Sequence, residues 1–205
     1  MFTNSTYVFT TLLVQESTPL WLQEHLHRLH AHASALGIPI PSELSFQFPP
    51  GTYLARISLR PSGYQLETRP YQPQDPAIYA NGVSVVLTSE ISPGPYKTDN
   101  RSAYQKAYRI AQEHHAFEAL LLDQDGFVVD GTKSSLLLIQ NKIVTLIEGG
   151  IDGITRQQLA HDLSKQGYQI CRKKLKPHEL QGQLWLAGTG FGAVAIRSLH
   201  VLKPD

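Results

Sequence analysis

The segment SPGPYKTDNRSAYQKAYR, residues 92–109, places one lysine between a proline- and glycine-rich turn and an amphipathic helix. Lys97 follows the run Pro93, Gly94 and Pro95 after one further residue, Tyr96, and apolar residues then recur on one side of the predicted helix. Because prolines restrict the backbone, this lysine is held more firmly than a lysine on a helix surface. The segment therefore predicts a hinge between two halves of the chain and makes Lys97 a candidate chemical group.

The residues before this turn predict a small N-terminal α+β domain over residues 1–91. TYVFTTLLV is rich in β-branched and aromatic residues and predicts a strand over 6–14. Leucine and alanine then recur at three- and four-residue steps over 20–37, which predicts a helix. YLARISLRPSGYQLETRP, residues 53–70, predicts a hairpin around its PSG turn, and a further strand is expected over 82–90.

The residues after the turn predict a larger C-terminal α+β domain over residues 92–205, in which antiparallel strand pairs predominate. A helix is expected over SAYQKAYRIAQEHHA, residues 102–116, and a second one after a glycine loop, ending near Gly167. The predicted strands lie within the ranges 118–131, 134–147, 168–175 and 183–202.

The composition excludes several classes of protein. The formal net charge of the 205 residues is +1, and the one short basic run gives little support for a nucleic-acid partner or a membrane surface. The one cysteine, Cys171, rules out an internal disulfide framework and suits a reducing compartment. No signal peptide pattern begins the sequence and no apolar run approaches the ~20 residues of a membrane span. We therefore expect a cytoplasmic protein with no membrane partner.

Two glycine-rich loops are candidate anion-binding sites. GGIDGITR, residues 149–156, precedes a predicted helix, so its amides and the helix dipole would favour an anion; a tight turn with Thr155 as the N-cap is the alternative. LAGTGFGAVAIR, residues 186–197, would bring the Thr189 hydroxyl to a phosphate, or would be a strand turn that needs small residues.

Asp130 follows an apolar strand and precedes Gly131. A carboxylate in this position is either a turn former that accepts from nearby amides or a buried anion that needs a cationic partner. These residues alone favour the turn former and leave the buried anion as the alternative.

The histidines of the first helix do not predict a metal site. His27 and His30 lie three residues apart, but no third ligand follows at helical spacing with a carboxylate. We therefore expect no bound metal.

Taken in order, these segments resemble the fold-type IV pyridoxal-phosphate enzymes, the class IV aminotransferase family. HLHRL is similar to the family's HLxRL helix, EALLLDQDGFVVDGTKSSLLLI to its EALLLDxxGxVxEGxxSNIF segment, and GGIDGITR to its LPGITR. The resemblance implies a two-domain fold like that of D-amino-acid aminotransferase, with pyridoxal 5'-phosphate as cofactor. YKTDNR and VFTTLLV are closest to the 4-amino-4-deoxychorismate lyase branch of the family.

The resemblance also implies the role of each candidate residue. Lys97 would be the Schiff-base lysine and then the general base, while Asp130 would pair with the pyridinium nitrogen. The phosphate would be held by Arg28, Gly153, Ile154, Thr155 and Thr189. Candidate substrate contacts are Thr10, Asn100, Arg60 and Tyr71, although Arg60 and Tyr71 would serve equally well as solvated hairpin residues. Family members are usually homodimers, so we expect a homodimer.

The expected reaction is the conversion of 4-amino-4-deoxychorismate to 4-aminobenzoate and pyruvate in folate biosynthesis. The alternatives are an aminotransferase for branched-chain or D-amino acids and a non-catalytic member of the fold. Three departures from the family pattern bear on this choice. Asp130 stands in place of glutamate and is shorter by one methylene, which moves the carboxylate by ~1.5 Å; Asp152 replaces a proline, and Ser135 an asparagine.

Overall fold

The computed structural model describes residues 6–202 and divides the chain into two units. Unit 1 comprises the described residues up to Pro73 together with Tyr96–Asn100, and unit 2 comprises Gln74–Pro95 and the described residues from Arg101 onwards. These units differ from the predicted ranges 1–91 and 92–205. The strand at 83–91 belongs to unit 2 because it pairs with strands of that unit, and Thr98 belongs to unit 1 because it bridges to Val8.

Unit 1 is a four-stranded antiparallel sheet with one helix. Its elements are β1 (Val8–Gln15), β2 (Thr18–Pro19), α1 (Leu22–Ala35), β3 (Tyr53–Arg60) and β4 (Gly63–Pro70). The strands lie in the order β2-β1-β3-β4, so the predicted hairpin is confirmed as β3 and β4. The short strand β2 was not predicted.

Strand alternation gives the sheet of unit 1 two different faces. One face buries apolar side chains together with α1; they are Val8, Leu12, Val14, Ala55, Ile57, Leu59, Leu29 and Ala33. The other face includes Phe9, Arg56 and Arg60, because Phe9 pairs with Ser58 in the register of β1 with β3. Phe9, Arg56 and Arg60 therefore lie on the side opposite this apolar cluster.

Unit 2 contains an eight-stranded mixed sheet. Its elements are α2 (Ala77–Asn81), β5 (Val83–Ile91), α3 (Ser102–Glu113), β6 (Glu118–Leu122), β7 (Val128–Gly131), β8 (Ser135–Gln140), β9 (Ile143–Ile147), α4 (Ile154–Lys165), β10 (Gln169–Lys173), a 3-10 turn (Pro177–Glu179), β11 (Gln183–Gly188) and β12 (Gly192–Val201). The strand order is β10-β9-β8-β11-β12-β5-β6-β7. Antiparallel pairs predominate as predicted, but β5 is parallel to both neighbours and β9 is parallel to β10.

In unit 2, strands β6, β8 and β9 are near-continuous apolar runs because both of their faces are covered. In β6, Leu120 faces one apolar cluster, whereas Ala119 and Leu121 face another that includes Ala107 and Ala111 of α3. Helix α4 packs Ala160 against a third cluster, formed with β8 and β9. Among residues 6–202, no helix is both long and apolar enough to cross a membrane.

Candidate active site

Both the carbonyl and the amide of Lys97 form hydrogen bonds with other residues of unit 1. Its carbonyl accepts from the amide of Phe9 at 2.9 Å, and its own amide donates to Nδ1 of His32 at 3.0 Å. The next residue, Thr98, forms an antiparallel bridge with Val8. The prolines alone therefore do not fix this lysine: pairing with β1 and the buried His32 do so as well. His32 was not predicted as a site residue, because helix periodicity does not show which residue lies against the lysine.

The side chain of Lys97 lies beside a row of cations and aromatic rings. Its Nζ is 5.1 Å from the centroid of the Phe9 ring, and the guanidinium carbon of Arg56 is 3.7 Å from the same centroid. Arg60 lies 4.1 Å from the centroid of Tyr7, whose hydroxyl accepts from Arg56 at 3.3 Å. Arg60 was predicted as a site residue and Arg56 was not, although the four-residue spacing in β3 places both on one face. This face carries positive charge suited to a carboxylate ligand.

Thr10 links β1 to two residues of α1. Its buried hydroxyl accepts from Nη2 of Arg28 at 2.9 Å and lies 2.6 Å from Nδ1 of His25. Burial, and then the charges of Arg28 and Lys97, lower the pKa of His25 to about 3, so this imidazole is neutral near neutral pH. The arrangement fixes both the Arg28 guanidinium and the Thr10 hydroxyl, two of the predicted site residues, around an imidazole that also feels the charge of Lys97.

The other predicted substrate contacts also lie in unit 1. The amide of Asn100 donates to Oγ1 of Thr98 at 3.2 Å, so Asn100 shares the fixed backbone that carries Lys97. Tyr71 comes one residue after the end of β4 and is half-buried. The roles of Asn100 and Tyr71 stay predictions.

Asp130 is a buried carboxylate and not a turn former. It lies within β7, its side chain is 1% exposed, and its Oδ2 accepts from the amide of Ile151 at 2.9 Å and from the hydroxyl of Tyr104 at 3.0 Å. Neither donor comes from the turn that follows Asp130, so the turn interpretation is wrong. Burial is the largest influence on this group and raises its pKa to about 6. Within residues 6–202, no cationic side chain forms an ion pair with it.

Gly150 allows the 149–153 loop to approach this carboxylate. A Cβ atom at position 150 would overlap the carboxyl group of Asp130, including both oxygens. The adjacent residue, Ile151, supplies the amide that donates to Asp130. The second glycine of GGIDGITR is therefore required by close packing against the acidic group.

The same loop leads directly into α4. Gly153 is the residue before the helix, with an extended backbone, and the helix begins at Ile154. The interpretation of Thr155 as the N-cap is therefore wrong, since it lies inside the first turn. A Cβ at Gly153 would lie 2.6 Å from Oγ of Ser135, whose hydroxyl donates to the carbonyl of Ile151 at 2.8 Å. A helix N-terminus without a side-chain cap leaves its first amides available to an anion.

Thr189 lies in the tight turn between β11 and β12. The preceding Gly188 packs closely, since a Cβ there would lie 2.9 Å from a ring carbon of Phe191 and 3.0 Å from the carbonyl oxygen of Lys133. The close packing at position 188 therefore requires a glycine there, as the alternative interpretation of this turn expected. The contact of Thr189 with a phosphate stays a prediction.

The negative charge of Asp152 is neutralised by two arginines. Its carboxylate lies 2.7 Å from Nη2 of Arg156 and 3.2 Å from Nη2 of Arg172. These arginines outweigh the effect of burial and lower the pKa of the Asp152 carboxyl group. Arg156 is itself buried and also donates to the carbonyls of Leu136 and Ile147. Asp152 therefore anchors a structural arginine.

The histidines of α1 have separate surroundings. His25 and His32 are buried against Thr10 and Lys97, whereas His27 is exposed. Across residues 6–202, no three histidine, cysteine or acidic side chains are grouped closely enough to hold a metal ion.

Comparisons with known proteins give one matching family and several similar structures. The family model "Amino-transferase class IV" matches residues 56–199. A solved structure provisionally assigned as 4-amino-4-deoxychorismate lyase is 37% identical, with a TM-score of 0.87 over 95% of this chain and 85% of that one. The branched-chain amino acid aminotransferase of Escherichia coli is 17% identical, with a TM-score of 0.79 over 96% of this chain and 78% of that one. Another similar branched-chain amino acid aminotransferase was solved with pyridoxamine 5'-phosphate.

A protein of Methanocaldococcus jannaschii, provisionally assigned as a branched-chain-amino-acid aminotransferase, is 29% identical over 84 residues. That match spans 38% of this chain and only 29% of the archaeal protein. The matched family model covers more than half of the chain, from β3 to β12. The chain therefore belongs to the class IV aminotransferase family of pyridoxal-phosphate-dependent enzymes, whose fold-type IV architecture it shares.

Proposed function

We propose that this protein is a pyridoxal-phosphate-dependent lyase that converts 4-amino-4-deoxychorismate to 4-aminobenzoate and pyruvate. The observation that carries the proposal is the 37% identity, over 95% of the chain, to a structure provisionally assigned to that activity. The Escherichia coli aminotransferase matches a similar share of the chain, 96%, at only 17% identity. The YKTDNR and FTT segments favour the same branch of the family.

The residues present fit pyridoxal phosphate. Asp130 is a buried carboxylate without an ion-pair partner in the described part of the chain, and a protonated ring nitrogen is the kind of partner that such a group needs. Lys97 supplies an amine on a fixed backbone. The start of α4 supplies amides for a phosphate, and Arg28 supplies a guanidinium. We assign the phosphate to Arg28, Gly153, Ile154, Thr155 and Thr189.

The proposed chemistry depends mainly on one side chain. When bound, pyridoxal phosphate supplies an electron sink for the negative charge left on carbon by proton removal. Lys97 Nζ would be the attachment point of the cofactor and would then take the proton from the substrate carbon that bears the amine. Asp130 would hold the proton on the ring nitrogen. The two products contain every atom of the substrate, so neither water nor an amino-group acceptor is consumed.

The substrate carries two carboxylates, and unit 1 offers charge to receive them. Arg56 and Arg60 lie on the same face as Phe9, and the Phe9 ring is also beside Lys97 Nζ. We assign Arg60 as a carboxylate contact. Thr10 would present a hydroxyl held by Arg28. Asn100 and Tyr71 complete the proposed substrate contacts.

The decisive experiment compares wild type, Lys97→Ala and Lys165→Ala. Lys165 is an exposed lysine whose side chain is 65% accessible, so it is a matched control for the loss of one positive charge. Purified protein is mixed with pyridoxal phosphate, its absorption spectrum is recorded, and 4-amino-4-deoxychorismate is added. We expect wild type and Lys165→Ala to release pyruvate and 4-aminobenzoate without a 2-oxoacid, and Lys97→Ala to lose both the lysine-dependent band and at least ~1000-fold of the rate.

Other outcomes would identify the alternatives. A band that responds only to pairs of amino acid and 2-oxoacid would make the protein an aminotransferase of branched-chain or D-amino acids. The absence of any Lys97-dependent band would make it a non-catalytic member of the fold. The homodimer, the cytoplasmic location and the role in folate biosynthesis stay predictions.

A further inference from the structure

The environment of Asp130 contains a directed chain of hydroxyl groups. Oη of Tyr104 donates to Oδ2 of Asp130 at 3.0 Å and lies 3.0 Å from Oγ of Ser92. A phenol has a single proton, so when Tyr104 donates to Asp130 its oxygen must accept the proton of Ser92. All three side chains are buried. The chain therefore runs from Ser92 through Tyr104 to the carboxylate.

Both hydroxyl groups are fixed by their backbones and neighbours. The amide of Ser92 donates to the carbonyl of Leu122 at 2.8 Å. Tyr104 lies in the first turn of α3, and the guanidinium carbon of Arg101 lies 3.5 Å from the centroid of its ring. Arg101 also donates to the carbonyl of Thr132 at 3.0 Å, two residues after Asp130. The tyrosine ring is thus held against the segment that carries the acid.

The hydroxyl chain supplies part of the stabilisation that the charged form of Asp130 lacks without an ion pair. Removing a carboxylate from water disfavours its charged form, and hydrogen bonds to that form oppose the effect. Burial raises the pKa of Asp130, while the Ile151 amide, the Tyr104 hydroxyl and the charges of Arg156 and Arg101 lower it again. Burial and the Asp130 charge raise the pKa of Tyr104, which keeps the phenol protonated as a donor.

We propose that Tyr104 is a positioning residue that aims the Asp130 carboxylate at the cofactor's ring nitrogen and keeps it ionised, with Ser92 setting the direction of the Tyr104 proton. Both hydrogen bonds of Asp130 fall on Oδ2, which leaves Oδ1 for the ring nitrogen. The inference rests on the proposed cofactor, but not on the identity of the substrate.

The test uses Tyr104→Phe with Tyr108→Phe as its control. Tyr108 lies one turn further along α3 and is half-buried, so both changes remove one hydroxyl and keep the ring. The carboxyl carbon of Asp130 is followed by NMR titration of the cofactor-free protein, with its signal assigned from Asp130→Asn. We expect Tyr104→Phe to raise the pKa of Asp130 by about one to two units, the size of a hydrogen bond to a charged group, and Tyr108→Phe to leave it in place.

Affinity for pyridoxal phosphate is measured on the same proteins. We expect Tyr104→Phe to weaken binding about 2- to 10-fold at pH 7, which is the fall in the ionised fraction of Asp130 for such a shift, with recovery as the pH rises above the new pKa of Asp130. Ser92→Ala should act in the same direction with a smaller effect, and it serves as the second variant if Tyr104→Phe does not fold. A tyrosine with only a structural role would lower the unfolding temperature without moving the Asp130 titration.

The outcomes separate this inference from the proposed function. An unmoved Asp130 titration in both Tyr104→Phe and Ser92→Ala would overturn the positioning role, whatever reaction the protein catalyses. A shifted titration with unchanged cofactor affinity would overturn the aim at the ring nitrogen. If the variants shift both the Asp130 titration and the cofactor affinity, but the wild-type protein releases no pyruvate from 4-amino-4-deoxychorismate, the positioning role is supported and the lyase activity is rejected.

Discussion

Glu118 is a fully buried carboxylate whose charge should cost stability at neutral and alkaline pH. Its Oε2 accepts from the amide of Lys133 at 3.2 Å and from the hydroxyl of Ser134 at 2.8 Å. Its Oε1 has no hydrogen-bond partner among the described residues. Burial, opposed by these hydrogen bonds and the charge of Lys133, raises the pKa of Glu118 from 4.5 to about 7. We predict that Glu118→Gln removes this cost.

The sign follows from the protons bound in each state. Between pH 4.5 and 7 the folded protein holds the Glu118 proton more tightly than the unfolded chain, so the free energy of unfolding falls as the pH rises through this window. Below pH 4.5 Glu118 is protonated in both the folded and the unfolded state, so its favourable contribution to the free energy of unfolding is fully present. Between pH 5 and 8, a shift of this size corresponds to a loss of roughly 2–3 kcal/mol. Glutamine keeps the shape and an acceptor for both donors but carries no charge.

The assay is urea unfolding of the cofactor-free protein at pH 5 and pH 8. The quantity compared is the difference in free energy of unfolding between Glu118→Gln and wild type. Asp130 titrates in the same direction and His25 in the opposite one, but both are present in each protein and cancel in the difference. We expect the difference to move by about 2–3 kcal/mol in favour of the variant from pH 5 to pH 8.

The matched control is Glu113→Gln, which neutralises an exposed glutamate of the same unit. It should change the two free energies by similar small amounts, within about 0.5 kcal/mol. If the Glu118→Gln difference were also constant within that margin, the burial argument for Glu118 would be refuted.

Two further predictions concern the groups that hold Lys97 and Asp130. His32→Ala removes the acceptor of the Lys97 amide and should lower the free energy of unfolding by about 1–3 kcal/mol in the same urea titration. The control His27→Ala changes an exposed residue and should alter this free energy by less than about 0.5 kcal/mol, so equal effects of the two variants would contradict this role of His32. Gly150→Ala drives a methyl group into the Asp130 carboxyl group, so we expect the free energy of unfolding to fall by about 1–3 kcal/mol and cofactor binding, followed by absorbance titration, to weaken strongly. Adding Asp130→Ala to this variant should restore part of the stability, whereas strictly additive effects of the two substitutions would show that the clash is not the cause.

The sequence predicted the order of the elements because each pattern is local. The hairpin of β3 and β4 followed from alternation around a PSG turn, and helix α1 from apolar residues at three- and four-residue steps. The helix after GGIDGITR was also predicted, but its first residue was misplaced. Whether Gly153 or Thr155 precedes the helix depends on backbone angles that residue type alone does not set.

The choice between the two interpretations of Asp130 required the tertiary structure. A carboxylate before glycine is a common turn former, so local statistics favoured the wrong answer. The amide and the hydroxyl that bind it come from positions 21 and 26 residues away along the chain. Such partners depend on how β7, α3 and the 149–153 loop pack, which no local pattern contains.

The sequence by itself determined that Lys97, an acidic residue and a glycine loop before a helix occur in one order, and the likeness of these segments to a known family identified the fold. The tertiary structure decided which neighbours tune each group: His32 lies 65 residues from Lys97, and Tyr104 lies 26 from Asp130. The physical reason is the separation along the chain between residues that interact. Periodicity shows which side of a helix or strand is buried, whereas strand register and helix placement decide which side chains meet there.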